Sequence, residues 1–309
     1  MKIKNIIILG GTGFIGTKIY KKLQKNYSIR NISYSKGTDL RKENSVIKYL
    51  KKNKTDLIIN CAAHVGGLNY IKNKKADIAS DNLKIYLNLY SNLKNLKNKP
   101  RIINLISNCV YPGSHKLQKE NEIFNGEIHE SVDPFGLPKL VLMKISKFYF
   151  EQYDVKSLNL ILPNAYGPGD HLDTDRSHAL NGIIVRMIKS QREGKLDFEI
   201  WGSGKPKREW IFADDIAKLI YELLNKNLEY NYENLNVAQN KSYSVNSIAK
   251  KVRETLKYKA KFYNNKKFTD GAPLKQLDDK NFKKKFRNFK FTNFKKGIFQ
   301  TVNYYKKHI

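Results

Sequence analysis

The chain opens on an apolar run, Ile6-Ile7-Ile8-Leu9, that follows Ile3 and closes at Gly10-Gly11. A short unbroken run bounded by glycine is the pattern of a strand covered on both faces. Residues 3–9 are therefore predicted as a buried β-strand. Phe14, Ile15, Ile19 and Leu23 then recur at helical spacing, which predicts a helix over 14–25. The same two periods alternate onward. Strands are expected at 28–33, 56–60, 101–106 and 157–162, and helices at 45–52, 76–96 and 136–153. Strands alternating with helices define an α/β fold with a doubly wound parallel sheet. Past Pro163 the pattern changes, with turns at Gly167-Pro168-Gly169 and Gly202-Ser203-Gly204 and helices near 179–192, 214–224 and 245–256. Neither an internal repeat nor a low-complexity linker interrupts the chain.

Composition narrows the class. At 309 residues and 40% hydrophobic, the chain can bury a core without disulfide or metal staples. Cys61 and Cys109 are its two cysteines, which excludes a disulfide framework and a four-cysteine zinc site. No metal site is expected. No apolar run approaches the roughly 18 residues of a membrane span. The short N-terminal run ends in glycines without a small-residue cleavage site, so it is not read as a secretory signal. The expectation is a soluble, cytoplasmic protein with no membrane partner.

Lys and Arg number 58 against 28 Asp and Glu, a net charge of +30. That excess suits an anionic partner. The densest stretch, 282–296, interleaves lysines with Phe282, Phe286, Phe289, Phe291 and Phe294, a mixture that can grip single strands. The plainer reading is a packed C-terminal segment with solvated lysines. No nucleic-acid module is matched, and no nucleic-acid partner is expected. Asn, Ile and Tyr are abundant beside Lys, a set that AT-rich coding favours, and part of the charge is read that way.

The turn after the first strand is Gly10-Gly11-Thr12-Gly13-Phe14-Ile15-Gly16. Gly10, Gly13 and Gly16 allow a tight turn, let backbone N–H groups approach a pyrophosphate, and let a helix pack close on the strand. The helix N-terminus adds a field that favours anions. Position and spacing together make this a dinucleotide-binding turn. Where NAD enzymes place an acid, at the end of the second strand, this chain has Ser33, Tyr34, Ser35 and Lys36. Hydroxyls and a lysine suit a 2′-phosphate, so NADP(H) is favoured over NAD(H). Asp39 and Leu40 are expected near the adenine. The domain reading is a dinucleotide-binding domain over 1–163 with a returning segment near 211–240, and a smaller C-terminal α/β substrate lobe from 164–210 and 241–309.

Further motifs sharpen this. They are Ala62-Ala63-His64-Val65-Gly66-Gly67, Ser107-Asn108-Cys109-Val110-Tyr111-Pro112, Pro163-Asn164-Ala165-Tyr166-Gly167-Pro168, Ser177-His178, Trp201-Gly202-Ser203-Gly204, Arg208-Glu209 and Asp270-Gly271-Ala272-Pro273-Leu274-Lys275. On these residues the chain resembles the extended short-chain dehydrogenase/reductases, with a Rossmann-like fold. Within them it resembles the GDP-L-fucose synthases and related GDP-heptose 4-ketoreductases, over nearly its whole length. The resemblance implies a catalytic triad of Ser107, a tyrosine and Lys139. The tyrosine hydroxyl exchanges the carbinol proton while hydride passes to or from nicotinamide, and the lysine binds the ribose. It also implies cofactor contacts from Ala62, Ala63, Pro163, Asn164, Ala165 and His178, beside Gly10, Gly13, Phe14, Ile15 and Gly16.

The chain departs from that pattern at the tyrosine, where the run Pro134-Phe135-Gly136-Leu137-Pro138-Lys139 carries Phe135. Phenylalanine fills nearly the same space but has no proton to transfer. Three readings stay open: an engineered change, a natural one with Ser107 or water relaying the proton, or a chain that has lost reduction. Pro138 is a second departure, expected to be tolerated near a helix start.

The resemblance further implies an epimerisation pair, Cys109 and His178, whose thiol and imidazole can serve as base and acid on opposite faces of a sugar carbon. Asn108 and Asn164 join Ser107 and Cys109 around the sugar. Arg186, Arg208 and Lys275 are expected on the diphosphate, since guanidinium groups bind phosphate bidentately. Trp201 is expected on the base or sugar. Cys61 and His64 are read as core or supporting residues. The reaction expected is NADPH-dependent reduction at C4 of a GDP-linked 4-keto-6-deoxyhexose or heptose for surface polysaccharide, with or without 3,5-epimerisation. The alternatives are epimerisation without reduction, or nucleotide binding alone. A homodimer through the helices near 76–96 and 135–153 is also implied.

Overall fold

A computed structural model describes residues 3–52, 54–94, 96–113, 117–226 and 230–309. The first half runs β1 (Asn5–Leu9), α1 (Phe14–Leu23), β2 (Ser28–Ile32), α2 (Ile47–Lys52), β3 (Leu57–Asn60), α3 (Leu68–Asn73), α4 (Lys75–Ser91), β4 (Arg101–Ser107), α5 (Asp133–Tyr153) and β5 (Ser157–Leu162). The second runs β6 (Asn164–Tyr166), α6 (Ala179–Arg192), β7 (Asp197–Trp201), β8 (Lys207–Phe212), α7 (Ala213–Asn225), β9 (Tyr232–Asn236), β10 (Ser242–Ser244), α8 (Val245–Leu256), β11 (Lys261–Asn265), β12 (Leu274–Lys275), α9 (Lys280–Lys285) and α10 (Phe294–His308).

Six parallel strands form the main sheet in the order β2-β1-β3-β4-β5-β9. Its strands are apolar on both faces because both faces are covered. On one side Ile7, Leu9, Ile58, Ile102 and Ile161 pack with Tyr86 and Leu89 of α4 and Leu142 and Met143 of α5. On the other, Ile6, Ile8, Ile59, Leu105 and Leu160 pack with Ile19 and Leu23 of α1 and Ile216 and Leu219 of α7. This is the doubly wound, Rossmann-like arrangement that the alternating periods predict.

One register line through this sheet is polar. Asn60, Asn104, Asn159 and Asn234 stand opposite one another on β3, β4, β5 and β9. Each side-chain amide passes to the next, from Asn60 Nδ2 to Asn104 Oδ1 (3.2 Å), Asn104 Nδ2 to Asn159 Oδ1 (2.9 Å) and Asn159 Nδ2 to Asn234 Oδ1 (2.9 Å).

Several element boundaries differ from expectation. The helix expected to 96 ends at Ser91, because Asn92 and the buried Leu93 continue the apolar spacing in a turn. A short helix, α3, precedes it and was not anticipated. The helix expected from 136 begins at Asp133, which puts Pro134 in its first turn, where a missing N–H costs nothing. Pro138 follows inside the same helix, buried against the core.

Residues after 163 add small sheets. β8 pairs β10 antiparallel and β6 and β12 parallel, while β7 pairs β11. β9 instead returns to the main sheet beside β5. The aromatic residues of 282–291 are core residues: Phe282 and Phe286 are buried and pack on Phe289 and Phe291. Lys283, Lys284, Lys285 and Arg287 around them are exposed.

Candidate active site

Strand and helix ends meet around one cavity of about 1010 Å³. In open α/β sheets the ligand crevice lies at the carboxyl ends of the strands, and here the ends of β1, β4 and β5 bring Gly10, Ser107 and Pro163 to the wall.

The glycine turn is built for close approach. Gly10 adopts φ +72°, and a Cβ on it would stand 2.9 Å from the Ala62 backbone. A Cβ on Gly16 would stand 2.3 Å from the Gly10 carbonyl oxygen. Gly13 caps α1, whose first turn holds no acid. Gly10, Gly13, Phe14, Ile15 and Gly16 line the cavity, as do Ala63, Pro163, Asn164 and Ala165. A backbone that admits no side chain, next to an unfilled helix N-terminus, fits a dinucleotide pyrophosphate.

The end of β2 stands apart from the cavity wall. Ser35 Oγ bonds Thr12 Oγ1 at 2.8 Å and Ser33 Oγ at 3.2 Å, and Lys36 is exposed beside them. The expected adenine contacts fare differently. Leu40 is buried in the core, and Asp39 is bound by the Arg41 guanidinium, which also reaches Asp81 at 3.1 Å. That bond holds the Asp39 carboxyl below its ordinary range. Asp81 in turn meets His64 Nδ1 at 2.9 Å, and His64 Nε2 meets Tyr70 Oη at 2.8 Å, so His64 supports the loop. Ala62 is buried behind the wall, under Gly10.

Ser107 ends β4 and its Oγ accepts the Cys109 amide at 3.2 Å. This caps the short turn Asn108–Val110 that carries Cys109. Asn108 is buried behind that turn and does not line the cavity. Phe135 and Lys139 lie four residues apart on α5 and both line it. The Phe135 ring is 7% exposed and packs with Ile71 and Ile78, beside Cys109. Lys139 Nζ donates to the Leu105 carbonyl at 2.8 Å and lies 4.9 Å over the Tyr86 ring. Burial pulls its ammonium down to about 7, and the same burial pushes the neighbouring Cys61 thiol up to about 12.

His178 stands at the N-cap position of α6 and lines the same cavity, its ring 5.6 Å from that of Phe14. Asp170 holds it, its Oδ2 accepting from His178 N (2.8 Å), His178 Nδ1 (3.0 Å) and Asn181 Nδ2 (2.8 Å). Those bonds outweigh desolvation and keep the Asp170 carboxyl down at about 2. Asp170 was missed in the sequence because it sits in an irregular loop, where no period marks it.

The expected anion grip is only partly free. Arg186 Nη1 donates to the Glu199 carbonyl at 3.0 Å, and its guanidinium lies 4.0 Å over the Trp201 ring, whose other neighbour is Phe268, stacked at 4.6 Å. Trp201 is thus stacked already and anchored by Nε1 to Glu199 Oε2 at 2.9 Å. Arg208 lines the cavity with Nη1 on the Lys207 carbonyl. Lys275 is buried, and its Nζ meets Cys109 Sγ at 3.2 Å. Glu209 accepts the Leu277, Gln239 and Asn240 amides and so ties down the strand that bears Lys275; burial pushes its carboxyl up to about 7.

A parallel sheet, a side-chain-free turn at its carboxyl edge and acid–base groups across one cavity define a dinucleotide-binding enzyme of Rossmann-like fold. The NAD dependent epimerase/dehydratase family matches residues 6–238, and the chain belongs to that family.

Among relatives, the GDP-L-colitose synthase of Yersinia pseudotuberculosis is 28% identical over 277 residues, covering 89% of each chain. The GDP-L-fucose synthase of Dictyostelium discoideum is 26% identical over 306 residues, 98% of this chain and 95% of that one. Among solved structures, a GDP-mannoheptose C4 reductase from Campylobacter jejuni with NADP bound has a TM-score of 0.83 at 24% identity and covers 99% of both chains, a likeness of fold. The family resemblance read from the motifs is borne out. Among the described residues no helix is long and apolar enough to cross a membrane, and no group of three or more His, Cys, Asp or Glu could hold a metal ion.

Proposed function

We propose that this protein binds NADP(H) and acts on a GDP-linked 4-keto sugar, a 6-deoxyhexose or a heptose, reducing it at C4 slowly and exchanging protons at C3 or C5. The observation that carries this reading is the shared cavity: glycine turn, Ser107 and Lys139, Cys109 and His178, and Arg186 and Arg208 all line it. The relatives' names, GDP-L-colitose and GDP-L-fucose synthase, and the NADP-bound heptose reductase of like fold supply the substrate and cofactor class. The hydroxyls of Thr12, Ser33 and Ser35 with Lys36 support NADP over NAD.

A nicotinamide cofactor held at the glycine turn would supply the hydride. The residues divide the rest. Ser107 orients the C4 oxygen, and Lys139, held on the Leu105 carbonyl, is left to the nicotinamide ribose. Arg186 and Arg208 present guanidinium donors to the diphosphate. With Asp170 accepting from Nδ1–H, the His178 Nε2 is left as the basic nitrogen. His178 and Cys109 both line the cavity, and an inversion would use one as base and the other as acid. Phe135 contributes an apolar wall and no proton.

That absence supports a second reading, epimerisation without reduction, because the groups for proton exchange at carbon are held in place while the one for the carbinol oxygen is missing. Mixing the protein with NADPH and GDP-4-keto-6-deoxymannose, beside Phe135→Tyr, separates the two. Reduction predicts slow NADPH loss that the tyrosine accelerates. Epimerisation alone predicts solvent deuterium at C3 or C5 with no NADPH loss from either protein.

A further inference from the structure

Lys275 is a buried ammonium at a wall where the sequence suggested a phosphate ligand. A buried cation needs a counter-charge or it is expelled or neutralised. Among the described residues Lys275 makes no ion pair with a carboxylate, and the acceptor its Nζ meets is Cys109 Sγ, at 3.2 Å. The contact is built in by the fold from two sides. β12 pairs β8 with Lys275 opposite Arg208, which sets two cations side by side. The Ser107 Oγ cap and the close approach of α5 at Gly136, where a Cβ would stand 2.7 Å from the Cys109 carbonyl oxygen, fix the turn that carries the sulfur.

The other charged groups around this point are few. Arg208 is coupled electrostatically to Cys109 and to Asp270. His129, before α5, feels Lys275, Glu130 and Arg208, and burial keeps its imidazole below its ordinary range, so it adds no third cation near neutrality. Asp270 is engaged by the Ser203 amide and hydroxyl. On the Phe135 side Cys109 packs against the apolar cluster of Ile71, Ile78 and Phe135, with Ala63, Val65 and Tyr70 beside it. The cation in contact with Sγ is thus Lys275, with Arg208 opposite it on β8.

We propose that Lys275 is a positioning residue for Cys109, its ammonium holding the sulfur toward the cavity and stabilising a thiolate there, while the diphosphate is left to Arg186 and Arg208. The inference rests on the reading of Cys109 as an acid–base group, and its test is arranged to fail separately from that reading.

The intact protein, Lys275→Met and Lys275→Arg are treated with iodoacetamide at pH 7, and modification of Cys109 and Cys61 is followed by peptide mass spectrometry. Cys61, its thiol pushed up to about 12, stays unreactive and reports folding. In Lys275→Met the Cys109 rate falls about tenfold, and Lys275→Arg retains most of it. GDP binding by calorimetry stays within about twofold in both. An unchanged Cys109 rate in Lys275→Met overturns the proposal, and an accompanying loss of GDP affinity would return Lys275 to the diphosphate. If Cys61 becomes reactive in Lys275→Met, Lys275→Gln replaces it in the same comparison. Loss of Cys109 reactivity without any solvent deuterium in the sugar leaves the Lys275 pairing standing and removes the acid–base reading instead.

Discussion

Asp170 shows how much one side chain can hold. Its Oδ2 takes three N–H donors, two of them from His178. A carboxyl depressed from its usual value to about 2 stabilises the fold above its unfolded pKa, near 4, by about 2 kcal/mol. That contribution is lost as pH falls from about 4 toward 2. Asp170→Asn is accordingly expected to melt lower at pH 7 and to lose the corresponding part of the acid sensitivity between pH 4 and 2, checked by calorimetry across that range. Because it also frees the His178 ring to rotate, sugar deuterium exchange is expected to fall more than substrate affinity. Nothing in the sequence pointed to Asp170, since a loop carries no period. The motif residues were legible for the opposite reason: Gly10, Gly16, Ser107 and Lys139 stand where backbone closeness or the chemistry demands one residue type. Phe135 was legible as a departure, and its packing with Ile71 and Ile78 gives the physical form of that departure, an apolar wall.

At the scale of elements, the main sheet was readable because its strands are short apolar runs and its covering helices carry a clear 3.6-residue period. The asparagine line across β3, β4, β5 and β9 was not, because register is invisible until strands are paired. Asn104 is its centre, donating to both Asn159 Oδ1 and Tyr90 Oη while accepting from Asn60. Asn104→Leu strips partners from three buried groups at about 1–3 kcal/mol each. The melting midpoint is expected to fall by about 5 °C or more, with the far-ultraviolet spectrum retained; an unchanged midpoint would remove the ladder's structural role. The α3 helix and the end of α4 escaped the sequence for a related reason: Leu93 keeps helical spacing while serving as a buried turn residue.

Over the whole molecule, the aromatics that the sequence interleaves with lysines at 282–291 pack into the core. We propose that 1–163 with the returning 211–240 segment forms the cofactor domain, since β9 joins the main sheet and α7 covers it, and that the remainder forms the substrate lobe. Leu87 on α4 and Leu137 and Phe148 on α5 are large apolar side chains left exposed on neighbouring helices. They support a homodimer joined through those helices. Phe148→Glu is expected to convert a dimer to a monomer by light scattering; a monomeric parent protein would contradict the interface. We propose that the cavity is a GDP-4-keto-sugar site that lacks one proton donor. NADPH consumption with GDP-4-keto-6-deoxymannose by the protein and by Phe135→Tyr tests this most directly. A gain of about 10²–10⁴-fold is expected in the tyrosine variant. Equal rates in the two proteins, or none in either with the hexose and a heptose analogue, would contradict it.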